Sequence, residues 1–378
     1  MRTVIVCDQI NPHIIRFARM FRDAGHTVGV LPLSPHAPLS LPEGTEILWQ
    51  PSAPRTSPQE VETALDAMQG PITTFAPDVL FAGPLDTAGY AATRLQTGPV
   101  VAVCMAFDIL LNARQDTRRM DAVRHTLTHA SSVLVDSRFL IDQVRQLGVT
   151  QSTPILCVPY GISLNRFAPS SEKTDRAVAL RAELGLNVDT DILVLSNRRH
   201  DPLYHPMVTL SGFATALRHH PHLFLHMGGT GSMTDELIAR AATLGIADRV
   251  HFAGWLDQEA LSISLAAADI YVSSSSVDGS SISLLQAMVS NLPVIATDIP
   301  GNREWVTRSQ CGHLVPVGNA QALADTLISM ASLSRDARHS LGHAGKTLVR
   351  QDGDWLHNSA RILQLTTETA HLFHGRTA

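Results

Sequence analysis

Short apolar runs recur along the chain, separated by segments in which apolar residues fall at helical spacing. TVIVC (3–7), TVGVL (27–31), DVLFA (78–82), PVVAVC (99–104), VLVD (133–136) and ILCV (155–158) read as buried strands. Helical spacing occupies 12–24, 58–69, 113–128 and 137–147, and residues 36–57 read as a Pro- and Ser-rich loop with one short strand. A polar stretch, SSEKTDRAV (170–178), interrupts the pattern. It then resumes with strands at 191–196, 223–228, 249–253, 269–272, 293–296 and 311–317. Helices are expected at 178–184, 233–244, 258–267, 282–289, 320–333, 335–349 and 355–373. Regular strand–helix alternation predicts parallel sheets covered by helices. Two such halves in 378 residues predict two domains, the first at 1–170 and the second at 171–354.

One stretch departs from plain alternation. YVSSSSVDGSSISLLQAMVSNLPVIATDIPGNREWV (271–306) reads as a strand, a polar loop, a helix, a strand and a second helix start. The loop is a run of small polar residues holding one carboxylate, Asp278, and one glycine, Gly279. Ser and Gly at a helix N-terminus leave backbone N–H groups free, which suits a phosphate or diphosphate. The plainer reading is a Ser-rich cap that only ends a helix.

Composition narrows the field. Apolar residues make up 44% of the chain and charged ones 17%, enough for sizeable cores. The net charge of −5 argues against a general nucleic-acid binder. Cys7, Cys104, Cys157 and Cys311 are far apart and form no CxxC pair, so free thiols are expected and zinc is not. The opening run is broken by Asp8 and Asn11, as in a first strand rather than a signal peptide. With no long apolar run for a membrane span, a cytoplasmic protein is expected. The first strand–helix loop, DQINPH, lacks the glycines of a dinucleotide fingerprint. Gly83, Asp86 and Asp108 fall at strand C-termini, where open parallel sheets place ligand sites. Arg114, Arg118, Arg119 and Arg124 share one helical segment and are candidates for peripheral contact with anionic lipid at the inner membrane face, or with an acidic acceptor. A solvated face is the ordinary alternative for such a run.

The stretch from 271 to 306 resembles the signature of the family 4 retaining glycosyltransferases. There, two acidic residues frame a Gly-containing loop, followed by Ala-Met and Pro-Val-Ile-Ala-Thr-Asp. Asp278 stands at the first acidic position and Gln286 at the second, while PVIATDIPGNREWV matches closely. PYGISLNRFAP (159–169) resembles the family's exit from its first domain, with Ser163 replacing an Asp. The resemblance implies an α/β fold of GT-B architecture: two Rossmann-like domains facing a cleft, with a last helix, 355–378, crossing back to the first. It also implies a role for each matching residue. Arg198 would bind the donor diphosphate, although Tyr204 stands where a Lys often follows. Gly228, Gly229 and Gly231 match the Gly-rich turn near the donor, and backbone at Ala253 and Gly254 would meet the nucleobase. Asp278 would hold sugar hydroxyls. Ser281, Ile282 and Ser283 would offer N–H groups to the diphosphate, and Gln286 would reach the ribose. His13, with Arg16, matches a pattern of a related branch that faces the cleft, and Asp108 follows Phe107, where relatives often carry a His.

The reading is therefore a metal-independent transferase moving a hexose from a nucleoside diphosphate sugar to an acceptor hydroxyl, without a resident cofactor. Its catalytic candidates are Asp278, Arg198, His13 and Asp108. Two alternatives stand beside it. A GT-B sugar-nucleotide epimerase would want paired acid–base groups in the cleft. A degenerate homologue that binds a nucleotide sugar or a protein is favoured by the departures at Gln286, Tyr204, Ser163 and Phe107. The retained Arg198, Asp278 and PGNREW favour the enzyme.

Overall fold

The structure is a computed structural model and describes residues 1–35, 39–167 and 170–374. Pro169, in the expected domain exit, lies outside the described residues. The chain divides into two units, each built on one parallel sheet.

The first unit comprises Met1–Pro159 and the chain from Leu356. Its strands are β1 (Arg2–Cys7), β2 (Thr27–Pro32), β3 (Thr45–Ile47), β4 (Val79–Gly83), β5 (Val100–Val103), β6 (Ser132–Val135) and β7 (Ile155–Cys157). They lie in the order β3-β2-β1-β4-β5-β6-β7, every pair parallel. The central strands are apolar throughout because helices cover both faces of the sheet. Val4, Ile5 and Val6 are fully buried. On one face Val4 and Val6 join Leu80, Ala82, Met68 and Ile72, while Val133 and Val135 pack with Val123 and Leu140 elsewhere on the sheet. From Leu356 onward the helix Trp355–His374 belongs here: Ser132 Oγ and Thr369 Oγ1, both buried, are 2.7 Å apart. Asn358 Nδ2 also donates to Pro159 O at 3.0 Å.

The second unit, Tyr160–Trp355, holds β8 (Ile192–Ser196), β9 (Leu223–Gly228), β10 (Val250–Gly254), β11 (Ile270–Ser273), β12 (Val294–Thr297) and β13 (Gly312–Val315). Their order is β10-β9-β8-β11-β12-β13, again parallel. One apolar layer gathers Phe213, Leu225, Val272 and Leu323; another gathers Tyr271, Leu284, Leu285 and Trp305.

In both sheets the strand order reverses beside the first strand. β1 lies between β2 and β4, and β8 lies between β9 and β11. The crevice outside the carboxyl ends at such a reversal is where open α/β sheets bind ligands.

The structure departs from the sequence expectations at several places. The first unit ends at 159 rather than 170. Ile162 N donates to Gly353 O and Trp355 N donates to Ile162 O, both at 2.9 Å, while buried Phe167 packs with Leu284 and Leu285. These ties pull 160–167 into the second unit. The helix expected over 58–69 is two, Pro58–Glu62 and Leu65–Phe75. A helix over Pro206–Leu217 escaped the pattern altogether. Thr209, Leu210, Gly212, Phe213, Ala214 and Ala216 are all buried, so no polar stripe marks its period.

Phe213 is completely buried in the second unit's core. Phe213→Ala is expected to destabilise the protein by roughly 3–5 kcal/mol, read as a lowered denaturant midpoint.

Candidate active site

Asn197 and Arg198 leave the carboxyl end of β8, and the loop from Ser274 leaves its neighbour β11. The two loops meet through Arg198. Its Nη2 donates to both oxygens of Asp278 at 2.9 Å, and its Nη1 donates to Ser281 Oγ at 2.7 Å and to Ser283 Oγ. The guanidinium lies over the Tyr204 ring, 4.5 Å from its centroid. Burial draws the pKa of Arg198 down, but Asp278, with Tyr271 and Tyr204, outweighs it, and the net shift is upward. Arg198 is thus a fixed cation. Its Nε is buried with no hydrogen-bond partner among the described residues.

The structure shows which of the serines face this cation. Ser274 Oγ donates to the carbonyls of Tyr204 and His205, and Ser276 N and Oγ bind Leu203 O. These two serines hold the Tyr204 loop in place. Ser281 and Ser283 face the arginine instead. The helix Ile282–Val289 opens at Ser281 without a side-chain cap, and its first intrahelical bond is Leu285 N to Ser281 O. The amides of Ile282 and Ser283 therefore have no helical acceptor and are available to an anion.

The matching tail, PGNREW, supports this loop from behind. An ideal Cβ at Gly301 would lie 1.9 Å from Gly279 O, so only glycine lets this helix lie against the Asp278 loop. Trp305 Nε1 donates to Ser280 Oγ at 3.0 Å, and Asn302 Nδ2 donates to Thr297 O at 2.9 Å.

The remaining candidates of this unit fall as follows. Gly229 has φ +114, and an ideal Cβ there would sit 2.5 Å from Arg198 O. Its N–H donates to Gly254 O at 2.6 Å, so that amide is not open to a donor. Ala253 and Gly254 end the half-buried strand beside it. Gln286 is buried one turn into the helix that Ser281 opens, on the side of Ile282. Tyr204 replaces a cation with an aromatic face. Arg199 does not restore that charge near Asp278: it is mostly exposed and pairs with Asp201 at 2.8 Å.

In the first unit the carboxyl ends of β1, β4 and β5 carry Asp8, Asp86 and Asp108. Asp108 is fully buried, and its oxygens accept from the amides of Leu85, Met105 and Ile109 at 2.9–3.0 Å. These amides tie the loops after β4 and β5 to its carboxylate. Burial still pushes its carboxyl up to about 6. Of the four arginines in the basic helical segment, one is committed within the unit. Arg119 turns inward to buried Asp86, which Asn112 Nδ2 also reaches, and donates to Thr56 O at 2.7 Å. Arg114, Arg118 and Arg124 remain exposed. His13 sits half-buried at the start of the helix Pro12–Asp23, its pKa lowered by burial and by Arg16.

Asp8 was not singled out from the sequence, although a carboxylate at the end of a first parallel strand was the available signal. It accepts from Thr87 Oγ1. Burial, reinforced by Asp86 and Asp108 and opposed by Thr87 and Arg119, pushes it up to about 7.

Comparison with known proteins places this geometry in a class. The chain shares its fold with sucrose-phosphate synthase from Thermosynechococcus elongatus, with a TM-score of 0.78 at 19% identity over 97% of this chain and 98% of that one. It also shares its fold with Anabaena HepE, solved with UDP-glucose, with a TM-score of 0.76 at 20% identity over 97% of this chain and 100% of that one. The fold is that of the GT-B glycosyltransferases. Residues 180–348, which include Arg198, Asp278 and Ser281, match the family described as glycosyl transferases group 1. A D-inositol 3-phosphate glycosyltransferase of Nocardia farcinica is 31% identical over 229 residues, 58% of this chain. That match spans about half, 49%, of the curated relative's length.

Two outcomes follow from this geometry. Gly301→Ala should displace the Asp278 loop and lower stability by about 1–3 kcal/mol, seen in the denaturant midpoint. Asp8 has a folded pKa above its unfolded one. Its contribution is therefore favourable below the unfolded value near 3.8 and is lost as pH rises through about 7. Asp8→Asn should accordingly raise the melting temperature more at pH 8 than at pH 4. Equal shifts at both values would contradict the assignment.

Proposed function

We propose that the protein is a retaining glycosyltransferase that moves a hexose from a nucleoside diphosphate sugar to an acceptor hydroxyl. One observation carries the reading. Arg198, two serine hydroxyls and the open helix amides of Ile282 and Ser283 converge at the switch point of the second sheet. A leaving diphosphate gains negative charge as the glycosidic bond breaks. Donors already fixed at that place stabilise the transition state more than the ground state.

Asp278 orients the arginine in the absence of ligand. A carboxylate has further lone pairs beyond the two that Arg198 uses, so it can also accept from sugar hydroxyls. Gln286 offers the ribose an amide oxygen rather than a charge. The family resemblance supports same-face transfer, in which the leaving phosphate draws the proton from the acceptor. Arg198 and the helix terminus supply the positive charge a metal would otherwise bring, so no metal is invoked. Contact with an anionic surface would rest on Arg114, Arg118 and Arg124, since Arg119 is committed to Asp86. None of the described helices is long and apolar enough to cross a membrane.

The test is thermal unfolding and calorimetry with UDP, GDP, ADP and their sugar conjugates. One base should raise the melting temperature. A ligand at ~100 times its dissociation constant adds roughly 2.7 kcal/mol to the folded state. Arg198→Ala should abolish that shift and lower turnover by at least about 100-fold. Absence of a shift with every nucleotide would defeat the transferase reading.

A further inference from the structure

One polar group at the carboxyl end of β8 is not accounted for by the Arg198 cluster. Asn197, half-buried, precedes Arg198 and lies between the ends of β9 and β11. On the β11 side the Tyr271 hydroxyl donates to Asn197 Oδ1 at 2.8 Å. On the β9 side an ideal Cβ at Gly228 would lie 3.6 Å from Asn197 Cβ. The other end of the carboxamide, Nδ2, has no hydrogen-bond partner among the described residues. Unlike Arg198 Nε, it is not sealed in the interior.

The orientation of this carboxamide is set from behind. Tyr271 is fully buried. Burial pushes its pKa up to about 12, against the opposing pull of Arg198, so the hydroxyl keeps its proton. Ser283 and Ser273 hydrogen-bond to the same hydroxyl and lower its pKa, so they act as donors to it. The phenol then has one proton to give, and Asn197 Oδ1 takes it. With its oxygen held inward, the carboxamide presents the two N–H groups of Nδ2 outward. Ser283 also accepts from Arg198 Nη1. Asn197 is thus joined to Arg198 through Tyr271 and Ser283, at the end of the sheet where the amides of Ile282 and Ser283 are open.

The charges at this place leave room for a neutral donor. Asp278 cancels Arg198, Arg199 is paired with Asp201, and Tyr204 brings a ring rather than a cation. An entering diphosphate meets an arginine that is already neutralised, so neutral N–H donors carry a larger share of its binding. Resting on the transferase reading above, we propose that Asn197 is a further donor-binding residue, whose Nδ2 donates to the diphosphate of the nucleotide sugar beside Arg198 and the amides of Ile282 and Ser283.

The test is calorimetric titration of the whole chain with UDP, GDP and ADP, in the wild type, Asn197→Ala and Asn197→Asp. Asn197→Asp keeps an oxygen for the Tyr271 hydroxyl but replaces the N–H donors with a carboxylate. Asn197→Ala removes both. The nucleotide that binds the wild type should bind Asn197→Ala about tenfold more weakly, for one lost hydrogen bond to a charged group, and Asn197→Asp at least about 100-fold more weakly. Melting temperatures without ligand should run the other way. Asn197→Asp should stay close to the wild type, and Asn197→Ala should fall because the Tyr271 hydroxyl loses its acceptor. A residue that only braces Tyr271 would give the reverse order of affinities. The proposal alone is overturned if the wild type binds a nucleotide and Asn197→Asp binds it as tightly, or more tightly than Asn197→Ala does. If no nucleotide binds the wild type, the transferase reading falls and the proposal falls with it.

Discussion

The second unit is arranged around one ion pair, Arg198 with Asp278. It joins the loop after β8 to the loop after β11, at the place where the sheet's strand order reverses. An unpaired buried guanidinium would be costly, so the pair keeps both loops in one geometry. Everything nearby serves that geometry. Tyr204 covers the guanidinium, Ser274 and Ser276 hold the Tyr204 loop, and Gly301 and Trp305 brace the Asp278 loop from behind.

A site of this kind meets an anionic ligand with little reorganisation. The helix amides of Ile282 and Ser283 are already open, and the cation is already oriented. Such preorganisation is what electrostatic catalysis requires.

Much of the fold was legible beforehand because parallel strands covered on both faces are apolar throughout, and such runs stand out. The helix over Pro206–Leu217 was not legible, since burial on several sides erased its period. The domain boundary was misplaced by about ten residues. A polar stretch at 170–178 looks like a linker, yet the hydrogen bonds of Ile162 to Gly353 and Trp355 assign the preceding segment to the second unit. Those bonds join residues far apart in sequence, and no local pattern announces them.

The sequence by itself determined the two parallel-sheet units and the loop with Asp278, Ser281 and Ser283 at a helix start. It also marked Arg198 as the cation after β8, because spacing and residue type are local properties. Tertiary structure alone decided how these groups are used. It set Asp278 on Arg198, placed Tyr204 beneath that cation, spent Asp108 on backbone amides and turned Arg119 inward to Asp86. Each of these depends on which distant partner satisfies a buried charge, and that is settled only when the strands stand side by side.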